Sequence, residues 1–322
     1  MDEITELLGN IFFQSARSET SRVMNSDVQL VHYTSASAAM SILDPKEPAI
    51  WLRSTRCMND RQEVDGGIAR INSVMSERSI VDRLWLALNN CHDNMALDVS
   101  KLLDETMPTL PYATWITCLS EHPRKEDRSG RLSMWRGYGG NDTGVAIVLD
   151  KKFLVSTSVE GLRVFASPAF YRDDTELRNR ITSMIDAIEA NCSKLQTIDP
   201  HRIAHCVRMM LAFAAVSIKH PGFDEEREWR LVYLPTIFSS PAIVEERLTF
   251  RGVPQKVFKV PLADQPEHGI SGITPNDLVK KIILGPSQFA DTIAAAFAGQ
   301  LHDLGVTEPW SKIQISDIPL RV

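Results

Sequence analysis

The residues best suited to chemistry come late in the chain. KHPGFDEEREWRLVY, residues 219–233, sets Asp224, Glu225, Glu226 and Glu228 close together and then runs straight into an apolar, aromatic segment. Carboxylates ordinarily lie on solvated faces, and burying one is costly unless it is paired or functional. Glu228 abuts WRLVY, and Glu is a poor strand former, so Glu228 and Glu226 read as the acidic wall of a ligand site. Asp224 and Glu225 fit a solvated turn.

Four other stretches are polar in strand-like settings: His32-Tyr33-Thr34-Ser35, Met58-Asn59-Asp60 with Glu63, Cys118-Leu119-Ser120-Glu121, and Met134-Trp135-Arg136-Gly137-Tyr138-Gly139. His32 and Thr34 share one face of a strand, and a neutral imidazole donates and accepts hydrogen bonds at once. Each stretch also has a plainer structural reading. His32 fits a strand-end histidine satisfied by a backbone carbonyl, and Trp135 and Tyr138 fit core packing beside a glycine turn. Asp60 and Glu63 fit a capping box. Arg136 and Arg230 fit a charge network with the acidic cluster.

The elements that must position these residues are strands with helices inserted in blocks. VQLVHY (28–33), AIWLRS (49–54), ATWITCLS (113–120), TGVAIVLD (143–150), LRVFASPAFY (162–171) and EWRLVYLP (228–235) read as strands. ERLTFRG, QKVFKVPL, KKIILGP and KIQIS read the same way. Residues 35–43 read as a helix capped by Ser35 or Thr34, and 288–303 as a last helix. Residues 62–106 and 174–219 are helical blocks, the latter with Ile203, Val207, Met210, Leu211 and Ala214 on one face. EHPRKEDRSGR (121–131) reads as a charged loop long enough to be mobile, and whether it is a lid is left open. Without strict βαβ alternation the expectation is a mixed α+β fold, one domain over 1–322 with its core motifs at 28–235.

In order, the five stretches resemble the signature of a bacterial family, domain of unknown function 2971, over roughly residues 28–235. The strand-end His, a later aromatic patch and a Glu-x-Glu opening a late strand are also distantly similar to ADP-ribosyltransferases. That resemblance implies a split β-sheet core and NAD as substrate, with no metal. It implies Glu228 beside the charge that develops on the ribose, Glu226 orienting or deprotonating an acceptor, and His32 and Thr34 on the ribose and carboxamide. Arg53 and Arg136 would take the pyrophosphate. Tyr138 is the choice for the second motif, with Tyr33 or Trp51 as alternatives. Tyr33, Asn59, Ser133 and Trp135 complete the expected binding set. A toxin or antiphage role follows by analogy alone.

The formal charge of −6 offers no general attraction for nucleic acid. No apolar run approaches a membrane span, and the acidic start MDEITELLGNIFFQ reads as an amphipathic helix, so a cytoplasmic protein is expected. Five cysteines, widely spaced and without a C-x-x-C pair, argue against a disulfide framework or a zinc site. Two rival functions stay open. One is a metal-dependent hydrolase acting on nucleotide or nucleic acid, with Asp60, Glu63, Glu226 and Glu228 as ligands. The other is a non-catalytic nucleotide-sensing module using block 174–219 as a partner surface. The acceptor, a homo-oligomer and a defence-system partner are likewise open.

Overall fold

The structure, a computed structural model, describes residues 2–58, 63–138, 143–157, 161–171, 173–250 and 252–319. In chain order it runs α1 (Glu3–Phe12), α2 (Gln14–Met24), β1 (Gln29–Ser35), α3 (Ala36–Ile42) and β2 (Ala49–Ser54). Then come α4 (Glu63–Met75), α5 (Arg78–Cys91), α6 (Met95–Thr106), β3 (Trp115–His122), α7 (Leu132–Tyr138), β4 (Gly144–Leu149), α8 (Phe153–Ser156) and β5 (Phe165–Pro168). They are followed by α9 (Asp174–Ala190), α10 (Cys192–Leu195), α11 (Pro200–Ser217), β6 (Glu228–Tyr233), β7 (Val244–Phe250) and β8 (Val253–Pro261). The chain ends with α12 (Pro275–Leu278), β9 (Val279–Leu284), α13 (Ala290–Asp303) and β10 (Ile313–Ile315). The class is mixed α+β, as the patterning implies.

These elements form two compact units. Residues 1–21, 55–114 and 167–225 make the first, and 22–54, 115–166 and 226–322 the second. Both helical blocks, 62–106 and 174–219, fall in the first.

In the helical unit α11 is the axis. Ile203, Val207 and Leu211 are buried on the expected face, but so are Ala204, Ala212, Ala215 and Val216, so the helix is covered on more than one side. Met210 and Ala214 are only half-buried and line a cavity instead. Small residues set the approach of α4: a Cβ on Gly67 would stand 1.9 Å from the Ala215 carbonyl oxygen of α11. Surface ion pairs join α9 to its neighbours, Arg178 to Glu77 and Arg70 to Asp174, each at 2.7 Å. Exposed pairs of this kind add little stability.

The second unit is built on one open mixed sheet, ordered β10-β9-β4-β1-β3-β2-β8-β7, with β6 on β3 and β5 on β6. β9 and β10 run parallel, joined through α13 as a crossover requires. Alternation gives the sheet two apolar faces. Leu30, Ile147, Leu119, Trp229, Leu231, Phe258 and Ile282 belong to the larger core. Val31, Tyr33, Ala146, Val148 and Ile283 pack on the other face with Met134 and Trp135 of α7.

Boundaries moved for identifiable reasons. Ser35 is the cap of α3, its hydroxyl accepting from the Ala38 amide at 3.3 Å. Thr114 stays outside β3 because its hydroxyl donates to the Leu110 carbonyl at 2.6 Å, while the strand runs on through Glu121 and His122. The stretch 162–171 yields only four strand residues, ending at Pro168, which has no amide hydrogen for the ladder.

Gly130 takes φ +66°, and a Cβ there would lie 2.3 Å from the Trp135 ring. Gly130→Ala therefore meets both a left-handed backbone and a filled site, and is expected to cost about 3 kcal/mol. Urea unfolding of the variant checks this, and an unchanged midpoint would contradict the packing described.

Candidate active site

The centre of the second unit is a fork in the sheet. One edge of β3 is shared: Ser120–His122 pair with β1, and Trp115–Ile116 pair with β2. The two ladders stop short of one another. In the gap the Cys118 carbonyl accepts a hydrogen bond from His32 Nδ1 at 2.9 Å. A carbonyl only accepts, so Nδ1 carries the hydrogen and the neutral ring keeps Nε2 as an acceptor. Burial pushes the His32 pKa below its ordinary value, which favours that neutral form. The plainer reading of His32, a strand-end histidine on a backbone carbonyl, describes this contact.

Across β3 lies β6, with Cys118 opposite Arg230 and Ser120 opposite Glu228. Glu228 and Arg230 are buried, and Arg230 Nε donates to Glu228 Oε1 at 2.5 Å. β1 and β6 flank β3, so their backbones lie about 10 Å apart, two strand spacings. Register sets the faces. His32 and Thr34 pair with Ile147 and Val145, on the face of the larger core. Glu228 and Arg230 lie on the opposite face with Cys118 and Tyr33. The expected catalytic set is therefore divided between two faces that meet only at the fork.

Glu226 is not a strand residue. It ends a 3-10 turn over Pro221–Glu226, and Arg227, at φ +44°, breaks the chain before β6 starts at Glu228. The shared face expected of Glu226 and Glu228, which needed an earlier strand start, does not form.

The aromatic patch is packed. Trp135 is buried, meets Tyr33 edge-on at 4.9 Å between ring centroids, and donates its indole N–H to the Ser129 carbonyl at 2.8 Å. Tyr33 accepts from the Arg131 amide at 2.9 Å, and burial raises its phenol to about 12. Tyr138 is half-buried against the same cluster, and Ser133 Oγ is buried there with no partner among the described residues. Arg136 is exposed on the same helix. Arg53 lies on β2, donating to Gln255 at 3.1 Å and stacking on Phe250 at 4.2 Å. The Trp51 ring lies beneath Lys259 at 5.7 Å. Asn59 and Asp60 lie outside the described residues, as does the Glu63 side chain. Among the described residues no three His, Cys, Asp or Glu side chains gather as a metal set.

A polar network stands out that the sequence reading left as a loop. Arg131 donates to the Glu121 carbonyl at 2.8 Å, the Glu226 carbonyl at 3.0 Å and the Glu126 carboxylate at 2.9 Å. Arg227 reaches the same carboxylate at 2.6 Å. His122 Nε2 bonds Asp127 at 2.9 Å, and Lys281 pairs with Asp127 at 3.1 Å. Glu121 takes Arg22 and the Trp229 indole N–H. Residues 121–131 are thus anchored along their length. The available signal was the density of opposite charges in EHPRKEDRSGR, which composition alone assigns to solvent.

Removing one member of the Glu228–Arg230 pair strands a buried charge. Glu228→Ala or Arg230→Ala alone is expected to destabilise the chain by about 3–5 kcal/mol, while Glu228→Gln with Arg230→Met recovers most of the loss. A double-mutant cycle by chemical denaturation measures this, and additive losses would contradict the pairing. His32 and His122 are both held below 6.5, chiefly by burial. The unfolded chain then binds more protons than the native one just below that value. Their contribution is whole above it and is lost as pH falls toward the folded values. Imidazole NMR titration is expected to give midpoints below 6.5 for both, with Tm falling on acidification; a midpoint above that value for either removes its share.

Residues 134–231 match the family model described as Protein of unknown function (DUF2971). No curated protein and no solved structure matches the chain. The matched segment takes in the Trp135 and Glu228 stretches, whereas those at His32, Asn59 and Cys118 precede it. Over residues 134–231 the chain is similar to the DUF2971 family.

Proposed function

We propose that the chain cleaves the bond between nicotinamide and ribose in NAD, as an ADP-ribosyltransferase or an NAD glycohydrolase. The observation that carries the reading is the forked sheet, with His32 on one side of β3 and a buried carboxylate, Glu228, on the other. Positive charge develops on the ribose as nicotinamide departs. Glu228 opposes that charge from a site where the low dielectric strengthens it. Arg230 holds the carboxylate fixed, which is the preorganisation such stabilisation needs. Nε2 of His32 accepts from a ribose hydroxyl at the mouth of the fork. The acceptor is a protein side chain, a base or water, and the toxin or antiphage role remains an analogy.

The two faces of β3 give this reading its main demand: the sugar must enter the gap between β1 and β2, where no ladder closes the sheet. The packed state of Trp135 shifts ring stacking to Tyr138. Arg136, exposed on the same helix, is the candidate for the pyrophosphate, and Arg53 lies on β2 beside β8.

A second reading has an observation of its own. The helical unit holds a cavity of about 310 Å³ between α1, α2, α9 and α11, lined by Phe12, Phe13, Phe170, Leu177, Met184 and Phe213. A mostly apolar cavity of that size suits a small ligand, in keeping with a sensing module without turnover.

Nicotinamide release from NAD by the purified protein tests both readings. Wild-type release that EDTA leaves intact is expected, with Glu228→Gln reduced about 100-fold or more. The Glu228→Gln/Arg230→Met protein, folded by circular dichroism, is expected to stay inactive, which separates chemistry from stability. Undiminished release by that double variant would overturn the role of Glu228. NAD that raises Tm without reacting would favour the sensing module, NAD that does neither would remove the NAD-cleaving reading, and loss of activity in EDTA would favour the metal-dependent hydrolase.

A further inference from the structure

The chain folds two of its widely spaced cysteines together. Cys91 closes α5 and Cys192 opens α10, and their Sγ atoms stand 3.3 Å apart across a sequence separation of 101. Cys91 is buried and Cys192 half-buried, so one thiol meets solvent and the other lies behind it. The backbone around the pair is held without the sulfurs. His92 Nε2 bonds the Leu195 carbonyl at 3.0 Å, and Gln196 donates to the Asn90 carbonyl at 3.0 Å. The contact therefore belongs to the folded helical unit and does not depend on a chance rotamer of a loose loop.

We propose that Cys91 and Cys192 form a dithiol modification site, which a small disulfide of the glutathione class converts to an intramolecular disulfide in the native fold. Cys192, the accessible thiol, loses its proton and attacks one sulfur of the small disulfide. That sulfur–sulfur bond breaks and one small thiolate leaves, giving a mixed disulfide on Cys192. Cys91 then releases its proton to solvent, attacks the Cys192 sulfur and expels the second small thiolate. Two protein thiols have lost two electrons and two protons, and the small disulfide has become two thiols. The second step is the slow one, because burial raises the Cys91 thiol above its ordinary value and only the thiolate attacks. The product bond ties the end of α5 to the start of α10, and the NAD reading plays no part in it.

The test uses the full chain in graded mixtures of oxidised and reduced glutathione, quenched with acid, alkylated and analysed by intact mass and by peptide mapping without reductant. Folded wild type is expected to lose the mass of two hydrogen atoms and to give a peptide joining Cys91 to Cys192. Cys91→Ser is expected to stop at a glutathione adduct on Cys192, with Cys91→Ala replacing it where serine at the buried position unfolds the chain. A wild-type adduct on Cys192 that persists without the joined peptide overturns the proposal. So does a joined peptide that appears only after denaturant is added.

Discussion

The sheet of the second unit depends on one guanidinium. Arg131 collects the carbonyl of Glu121 near the end of β3, the carbonyl of Glu226 just before β6, and the carboxylate of Glu126, while its own amide donates to Tyr33 of β1. Three strands are referenced to one residue, β3 and β6 through its guanidinium and β1 through its main-chain amide. A planar guanidinium offers five donors in fixed directions, so it can satisfy carbonyls that no ladder reaches. Buried carbonyls left without a donor would carry the full cost of desolvation. His32 supplies in the fork, and Arg131 where β3 and β6 part, a donor that a neighbouring strand would otherwise provide.

The same economy governs charge. Glu228 and Arg230 stand side by side on one strand face, and the local sum is zero. Glu126 is shared between Arg131 and Arg227, and Asp127 between His122 and Lys281. Paired interior ions add little net stability over an apolar core, but they punish any arrangement that separates them. The Glu126–Arg227 bridge therefore favours one placement of β6 beside β3 more strongly than it deepens the fold, whereas the Glu228–Arg230 pair, within one strand, is indifferent to register.

Much of this architecture was legible in the sequence, and what was not has a physical cause. Runs such as VQLVHY, AIWLRS and TGVAIVLD announce strands through branched and apolar side chains, and Ser35 announces the start of α3. Parity within a strand was also legible, so His32 and Thr34 do share a face. Parity between strands was not, since it depends on register, which only pairing decides. That is why His32 and Glu228 fell on opposite faces. Whether Glu226 shares a face with Glu228 was not legible, because nothing in EEREW marks Arg227 as the residue that turns left-handed. The charged loop looked solvated because composition does not say which charges find each other. The cysteines looked scattered because α5 and α10 are joined by packing and not by chain proximity.

The helical unit has a consequence for how the chain acquires its shape. Its three segments are interrupted by strands of the other unit, and α4 rests on α11 through Gly67 and Ala215. Residues so distant in sequence meet late, and loop closure opposes them until they do. On the ribosome α4, α5 and α6 emerge well before their partner helix, for roughly ten seconds or more at ordinary elongation rates. During that interval the buried side chains of α4, among them Val64, Ile71 and Val74, wait on a unit that is incomplete without α9 and α11. A nascent chain of this design is therefore most exposed to aggregation, and most in need of a holding chaperone, between the synthesis of α4 and that of α11.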